Sequence, residues 1–534
     1  MQKKTYYILL TGMGLLFLWY LFRRAALLSI THDESGTTDL VTVPVWDIMF
    51  SPKQFQTANN HILNSLLMKA SVSLFGYKEW AVRLPNVLSF VLYFSSAAVL
   101  MHRLTGNLLL RLGGVLILCS AHYLLDFFSL ARGYGLANAF GMAALVLLLL
   151  FFDDKKNKWL YASFISAALA CYANFTWMNL YLGLWALLNL SMLVFPSAEK
   201  PIWRPLLRVN IPPLLMAFLL ALVSYKPISF LRTKEEFKWG AVQWTDSFHA
   251  FCNDLLYGQT LLFWNGEQSK QILMFALPVL VLILVALLFR HRLIKKSAAF
   301  QLLPSKVVFL TTGLLVLIIL GTVAQKHLLN TFYIDGRKAT LYFPILLSIA
   351  VAAIAWLETK QKQTGQIVAT LTVFITCALL AASINFYQCR EWWYDANSKE
   401  VAYTIQQQLP GKARVAVTWQ FHPSITFYNR HQLNNQIQTI AKTTEAATPD
   451  AFDFYYVMGD ELRKVPPVFK PVKRIFWDRF LLQKDTAWYR QQLLLEQMKL
   501  LQTEPDTTNA LQKAALILQE KRNTIQWDQL LWKE

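Results

Sequence analysis

The chain has 534 residues, 55% of them hydrophobic and only 16% charged, whereas a soluble domain carries about 25% charged residues. Its formal net charge is +19, from 51 basic and 32 acidic residues, with no basic cluster interleaved with aromatics of the kind a nucleic-acid surface needs. Composition therefore excludes an ordinary soluble domain and a nucleic-acid partner, and it points to a polytopic membrane protein.

Apolar blocks near the ~20-residue length that crosses a bilayer predict about eleven spans. They fall near residues 6–30, 83–103, 108–124, 135–152, 159–174, 176–195, 207–225, 271–290, 307–324, 339–357 and 365–384. The first run is long and no small-residue cleavage site follows it, so it reads as a retained span rather than a signal peptide. Arg23 and Arg24 lie inside this run, where charge is costly. Either the first helix leaves the membrane near residue 22, which is the expected reading, or the arginines line a cavity shared with Asp33.

The stretch "SITHDESGTT" (29–38) then places His32, Asp33 and Glu34 together at the mouth of the span. In the loop 31–82, "VPVWDIMFSPKQFQ" mixes aromatic and polar residues as an interfacial helix does, and "NNHILNSLLMKASVSLFG" repeats apolar residues at helical spacing behind Asn60 and His61. The third turn, "DFFSLARGYG", carries Asp126, Arg132 and Tyr134. A second interfacial segment, 226–270, is rich in tryptophan and tyrosine, and "IDGRKATLYFP" sets Asp335, Arg337 and Lys338 before the tenth span.

Lys3 and Lys4, Arg103 and Arg111, "DDKKNK", "EKPIWRPLLR", "RHRLIKK" and "ETKQKQ" all fall on one side of these spans. The positive-inside rule makes that side cytoplasmic. The opposite, extracytoplasmic side receives residues 31–82, 122–134, 226–270 and 325–338 and everything after about 385. The expected division is a membrane domain, 1–385, and a small extracytoplasmic α/β domain, 386–534. In the latter, "ARVAVTWQ" and "FDFYYVMG" read as buried strands and "DTAWYRQQLLLEQMKLLQ" as an amphipathic helix. That domain has no phosphate-binding glycine loop or nucleophile elbow, and docking on the membrane part or on a partner is its expected role.

Each polar group also has an ordinary structural reading. "HDE" fits the polarity of a helix end, "NNH" an N-cap, and Arg132, Arg337 and Lys338 fit snorkelling cations. Gathered on one face of one topology, however, they combine carboxylates with a cationic clamp. Such a set suits a base that activates a hydroxyl while cations stabilise a departing phosphate. The five cysteines show no metal-type spacing.

The early "HDE", "LFGYKEWAVRLPNVLSFVL" (74–92), "SLARGYG" (129–135) and "GRKATLYFPILL" (336–347) together resemble the GT-C glycosyltransferases related to protein O-mannosyltransferases and aminoarabinose transferases. The resemblance implies a many-helix fold, an active site on the outer face of the cytoplasmic membrane, and a polyprenyl-phosphate sugar as donor. The acceptor would be a hydroxyl on a glycan, lipid or protein. Carried over by residue, Asp33 matches the catalytic acid, with Glu34 beside it, and Arg132 and Tyr134 match the donor-site stretch. Arg337, with Lys338, matches the late basic residue that meets the lipid phosphate. His32, Asn60, His61 and Asp126 are candidates for positioning substrate. Glu34 or His61 also permits a divalent cation, without fixing which one. The chain departs from the family pattern at Asn60 and His61, where an acidic residue followed by a basic one is common. Rival readings are a transporter or flippase of lipid-linked glycans, and a non-catalytic subunit of a surface-polysaccharide assembly complex.

Overall fold

A computed structural model describes residues 2–194, 203–259, 304–445, 451–475, 478–501 and 507–523, with isolated positions between 268 and 274. The chain packs as two compact units. One is formed by the described residues of Met1–Leu27 and Thr37–Phe386, and the other by those of Leu28–Gly36 and Tyr387–Glu534.

The first unit is helical. Among the described residues, seven helices are long and apolar enough to cross a membrane: Lys4–Leu27, Glu79–Leu104, Tyr134–Asp154, Arg204–Thr233, Pro304–Leu329, Gly336–Lys360 and Lys362–Ser383. The predicted span 108–124 is a broken pair, Leu108–Cys119 and His122–Phe128, bent by 65° where Ala121 takes an extended conformation. Asn107 begins this pair by accepting the Leu109 and Leu110 N–H groups on its side chain. The predicted spans at 159–174 and 176–195 are helices Asn157–Ala173 and Met178–Val194, 17 residues each. The predicted span 271–290 lies outside the described residues, isolated positions apart.

Loops that the charge pattern assigned to one side do meet at one end of the bundle. Arg103 pairs with Asp153 at 2.9 Å, while Thr105 and Asn107 donate to Glu358 at 3.0 and 2.7 Å. At the other end Arg132 donates to Asn59, Ala58 N–H to Glu236 at 2.8 Å, and Lys338 to the Trp239 carbonyl. An isolated antiparallel bridge joins Ala241 to Tyr333. The loops 37–61, 129–134, 236–247 and 331–338 thus share one end.

The first helix runs from Gln2 to Leu27 and includes both arginines. Arg23 is exposed, but Arg24 is fully buried in an ion pair with Asp126, which removes the cost of carrying its charge inside the bundle. It also donates to the Asn385 carbonyl at 2.9 Å. In addition, helix Trp203–Thr233 continues past the predicted loop start at 226.

The second unit holds a five-stranded mixed sheet of order β2-β1-β3-β5-β4. The strands are β1 (Ala413–Val417), β2 (Ile437–Lys442), β3 (Phe454–Met458), β4 (Phe469–Ile475) and β5 (Arg479–Lys484). Strand β1 pairs in parallel with β2 and β3, and β5 runs antiparallel to β3 and β4. Central β3 reads "FYYVM" because both its faces are covered. Ala416, Tyr455, Val457, Phe469, Phe480 and Leu482 supply its core. The stretch predicted as an amphipathic helix is helical at Thr486–Leu501.

Candidate functional site

The "THDE" stretch begins the helix His32–Thr38, and it is a capping box. Thr31 Oγ1 accepts the Glu34 N–H at 3.3 Å, and Glu34 Oε2 accepts the Thr31 N–H at 3.0 Å. Glu34 is completely buried, so its carboxylate closes the first turn. The pattern Thr-x-x-Glu carries this signal in sequence, although the run of acids draws attention away from it.

Within the second unit, four residues hold the same segment. The His32 N–H donates to Asp395 Oδ2 at 2.6 Å, and the His32 ring contacts the Gln420 carbonyl at 2.9 Å. Ser35 donates to the Pro423 carbonyl at 2.6 Å, and Ile30 N–H to the Tyr428 hydroxyl at 2.7 Å. Asp33, between these anchors, is half-buried. Residues 28–36 therefore fold with the C-terminal residues rather than as a free loop.

Asp395 itself is buried. Burial pushes its carboxyl well above the usual range, and the charges of Asp33 and Glu34 add to the effect, while bonds from Ser424 and His32 oppose it. Because the folded pKa is raised, the cost of Asp395 is absent below the ordinary value of about 4 and grows as pH rises toward the folded value. Asp395→Asn should thus gain thermal stability relative to the parent between pH 5 and 8, about. Its amide can still accept from His32 N–H and donate to Ser424. Asp395→Leu strands both donors and should lose about 1–3 kcal/mol at every pH. Melting curves of the three proteins across that range check this; a parent–Asn difference independent of pH would contradict it.

In the first unit, three loops converge on a cavity of about 290 Å³ lined by His61, Tyr134, Tyr172, Asn174, Glu236 and Lys338, among others. The turn 129–136 is fixed by a chain of asparagines. Asn64 donates to the Ala131 carbonyl at 3.0 Å, Asn86 donates to Asn64 at 2.6 Å, and Asn86 accepts the Leu136 N–H at 3.2 Å. Gly133 is required here, since a Cβ would overlap the Ala173 carbonyl oxygen and the His61 side chain. Arg132 is buried and donates to Thr37 at 3.1 Å and to Asn59. Tyr134 packs edge-on against His61 at 5.1 Å. Asn60 donates to the Ile48 carbonyl and accepts from Ser65, both at 2.9 Å, so it braces the loop in front of His61.

His61 is the hub of this cavity. Burial holds its ring well below the usual histidine range, helped by the nearby charges of Arg132 and Arg337, so it is neutral at physiological pH. Arg337 and Lys338 lie in the 3₁₀ turn Gly336–Leu341, where Lys338 sits 4.0 Å from Asp335. The structure thus brings Arg132, Tyr134, His61, Arg337 and Lys338 together, with Asn60 behind them. His32, Asp33 and Glu34 belong to the second unit. Asp126 pairs with Arg24 and accepts from the Tyr257 hydroxyl at 3.0 Å.

In the "RLP" block, Arg83 donates to the Ala25 carbonyl at 3.0 Å, and Asn86 serves the asparagine chain. Tyr172 and Asn174 had no sequence signal; only the packing of helix Asn157–Ala173 brings them to the cavity. Among the described residues no group of three His, Cys, Asp or Glu side chains gathers as a metal ion would require.

No family model matches the chain, and no curated protein matches it. Among solved structures, the chain is similar to two crystal structures of ArnT from Cupriavidus metallidurans. With the one bound to undecaprenyl phosphate it shares 13% identity at a TM-score of 0.40, over 90% of this chain and 98% of that one. With the apo state it shares 12% identity at a TM-score of 0.40, over 89% and 98%.

Proposed function

We propose that this chain is an inverting glycosyltransferase. It moves a sugar from a polyprenyl-phosphate donor to an acceptor hydroxyl, at the outer face of the cytoplasmic membrane. The observation that carries this reading is a cavity at one end of an apolar helix bundle, lined by His61 and Lys338, with the charges of Arg132 and Arg337 near enough to bear on His61. Cations gathered at one end of an apolar bundle suit an anionic lipid head group. The motif resemblance to GT-C enzymes supports the same reaction.

In this mechanism Asp33 takes the acceptor hydroxyl proton and the acceptor oxygen forms a bond to the anomeric carbon. The bond from that carbon to the phosphate oxygen breaks, and polyprenyl phosphate leaves with the electron pair. Arg337 and Arg132 carry the charge that develops on the phosphate, with Lys338 as a third cation. Outer-face activity follows from the positive-inside assignment of the opposite end of the bundle.

The test is sugar transfer from synthetic short-chain polyprenyl-phosphate glucose, mannose, galactose and aminoarabinose by the full chain in nanodiscs. A guanidinium grips a phosphate with two parallel bonds that an ammonium cannot copy. Arg337→Ala should therefore raise donor KM about 10–100-fold, and Arg337→Lys less, with acceptor KM little changed. Parent-like donor kinetics in Arg337→Ala would move the phosphate contact to Arg132. Translocation of these lipids without any transfer would make the chain a transporter.

A further inference from the structure

Three buried polar atoms at the cavity have no hydrogen-bond partner: His61 Nε2, Asn174 Nδ2 and the Tyr172 hydroxyl. Their chemistry is fixed by what their neighbouring atoms do. Asn174 Oδ1 accepts the Thr176 N–H at 3.0 Å, which orients the amide and leaves its NH₂ group as a donor. His61 donates from its ring to the Ala173 carbonyl. Because Nε2 has no partner, the donor is Nδ1, and Nε2 presents a lone pair. Leaving such groups buried and unmade is expensive, about 1–3 kcal/mol each, so three at one cavity form a recognition surface rather than packing.

We propose that this cavity is a subsite for an uncharged, hydroxyl-bearing ring. His61 Nε2 accepts a hydroxyl proton, Asn174 Nδ2 donates to a ring-borne oxygen, and the Tyr172 hydroxyl does either. A phosphate offers only acceptor oxygens and meets the His61 lone pair badly. A metal ion or an ammonium would sit beside Arg132 and Arg337, both close enough to bear on His61. A sugar supplies both donors and acceptors, and its C–H faces suit the aromatic walls that Tyr134, Phe175, Phe237 and Phe332 contribute. The division of labour is that the arginines hold charge and His61 with Asn174 reads hydroxyls. Identifying the ring as the transferred sugar rests on the proposed reaction; the binding itself does not.

The experiment uses methyl glycosides of glucose, mannose, galactose and arabinose, which carry neither lipid nor phosphate. Saturation-transfer NMR with the full chain in nanodiscs, at about 20 mM glycoside, reads weak binding directly. At least one glycoside should bind, and Asn174→Asp should weaken it about tenfold. That variant keeps the oxygen that accepts Thr176 N–H and puts an acceptor where the donor was, and a melting temperature close to the parent's confirms its fold. His61→Phe should have a similar effect, and inorganic phosphate should not displace the glycoside. The proposal is overturned if no glycoside binds, or if both variants bind like the parent. Displacement by phosphate, or binding seen only after a chelator strips a metal, also overturns it. A failed transfer assay leaves a positive glycoside result standing, and absent glycoside binding leaves the transfer assay standing.

Discussion

Asp33→Asn should lower kcat for sugar transfer by at least about 10²-fold, the smaller end of what a general base supplies. Asparagine matches aspartate in size but takes no proton at neutral pH. The segment that carries it is anchored by the Thr31–Glu34 capping box and by bonds to Asp395, Gln420 and Pro423, so the variant keeps its fold. Glu34→Gln is the matched control. Its side-chain oxygen still accepts the Thr31 N–H, and activity should stay within about threefold of the parent, because a neutral acceptor there costs little. Equal melting temperatures for all three proteins, with transfer lost only in Asp33→Asn, is the expected result. The opposite pattern, with Glu34→Gln inactive and Asp33→Asn active, would assign the proton to Glu34.

Asp126→Leu should destabilise the membrane unit by about 3–5 kcal/mol, the usual cost of stranding one partner of a buried ion pair. Arg24 and Asp126 are 0% and 2% exposed. The bonds of Arg24 to the Asn385 carbonyl, Ser129 and Tyr20 are to neutral groups. Tyr257, which donates to Asp126 at 3.0 Å, loses its acceptor in the same variant. The double variant Arg24→Met with Asp126→Leu removes both charges and should regain most of the loss, since two apolar groups pack at little cost. Denaturation in mixed micelles measures both. A loss within about 1 kcal/mol for the single variant would show that the pair is not the brace described.

The parts of the site that sequence revealed were those that break a local rule. Arg132 and Arg337 fall in loops where the charge pattern expects few cations, and Asp33 follows directly on an apolar run, so each stood out unaided. Tyr172 and Asn174 break no rule at the end of an apolar helix, and nothing in their own stretch marks them. Arg24 was legible as an anomaly but not as a pair, because its partner lies 102 residues away. In the sheet, central β3 announced itself as "FYYVM", whereas edge strands β2 "IQTIAK" and β4 "FKPVKRI" carry the lysines and the proline that edges tolerate, which mutes their strand signal.

By itself, then, the sequence determined the membrane character, the helical spans and the clustering of basic loops at one end, because apolar run length and charge placement are local properties. It also determined a C-terminal unit with strands, through short apolar runs. Only the tertiary structure decided that residues 28–36 fold with that unit, since those bonds join positions more than 360 residues apart, as between His32 and Asp395. Only tertiary structure, too, set the Ala173 backbone against the His61 ring and left its Nε2 buried without a partner. A ring nitrogen's role is set by the atom across from it, here the Ala173 carbonyl, and local sequence does not specify contacts of that range.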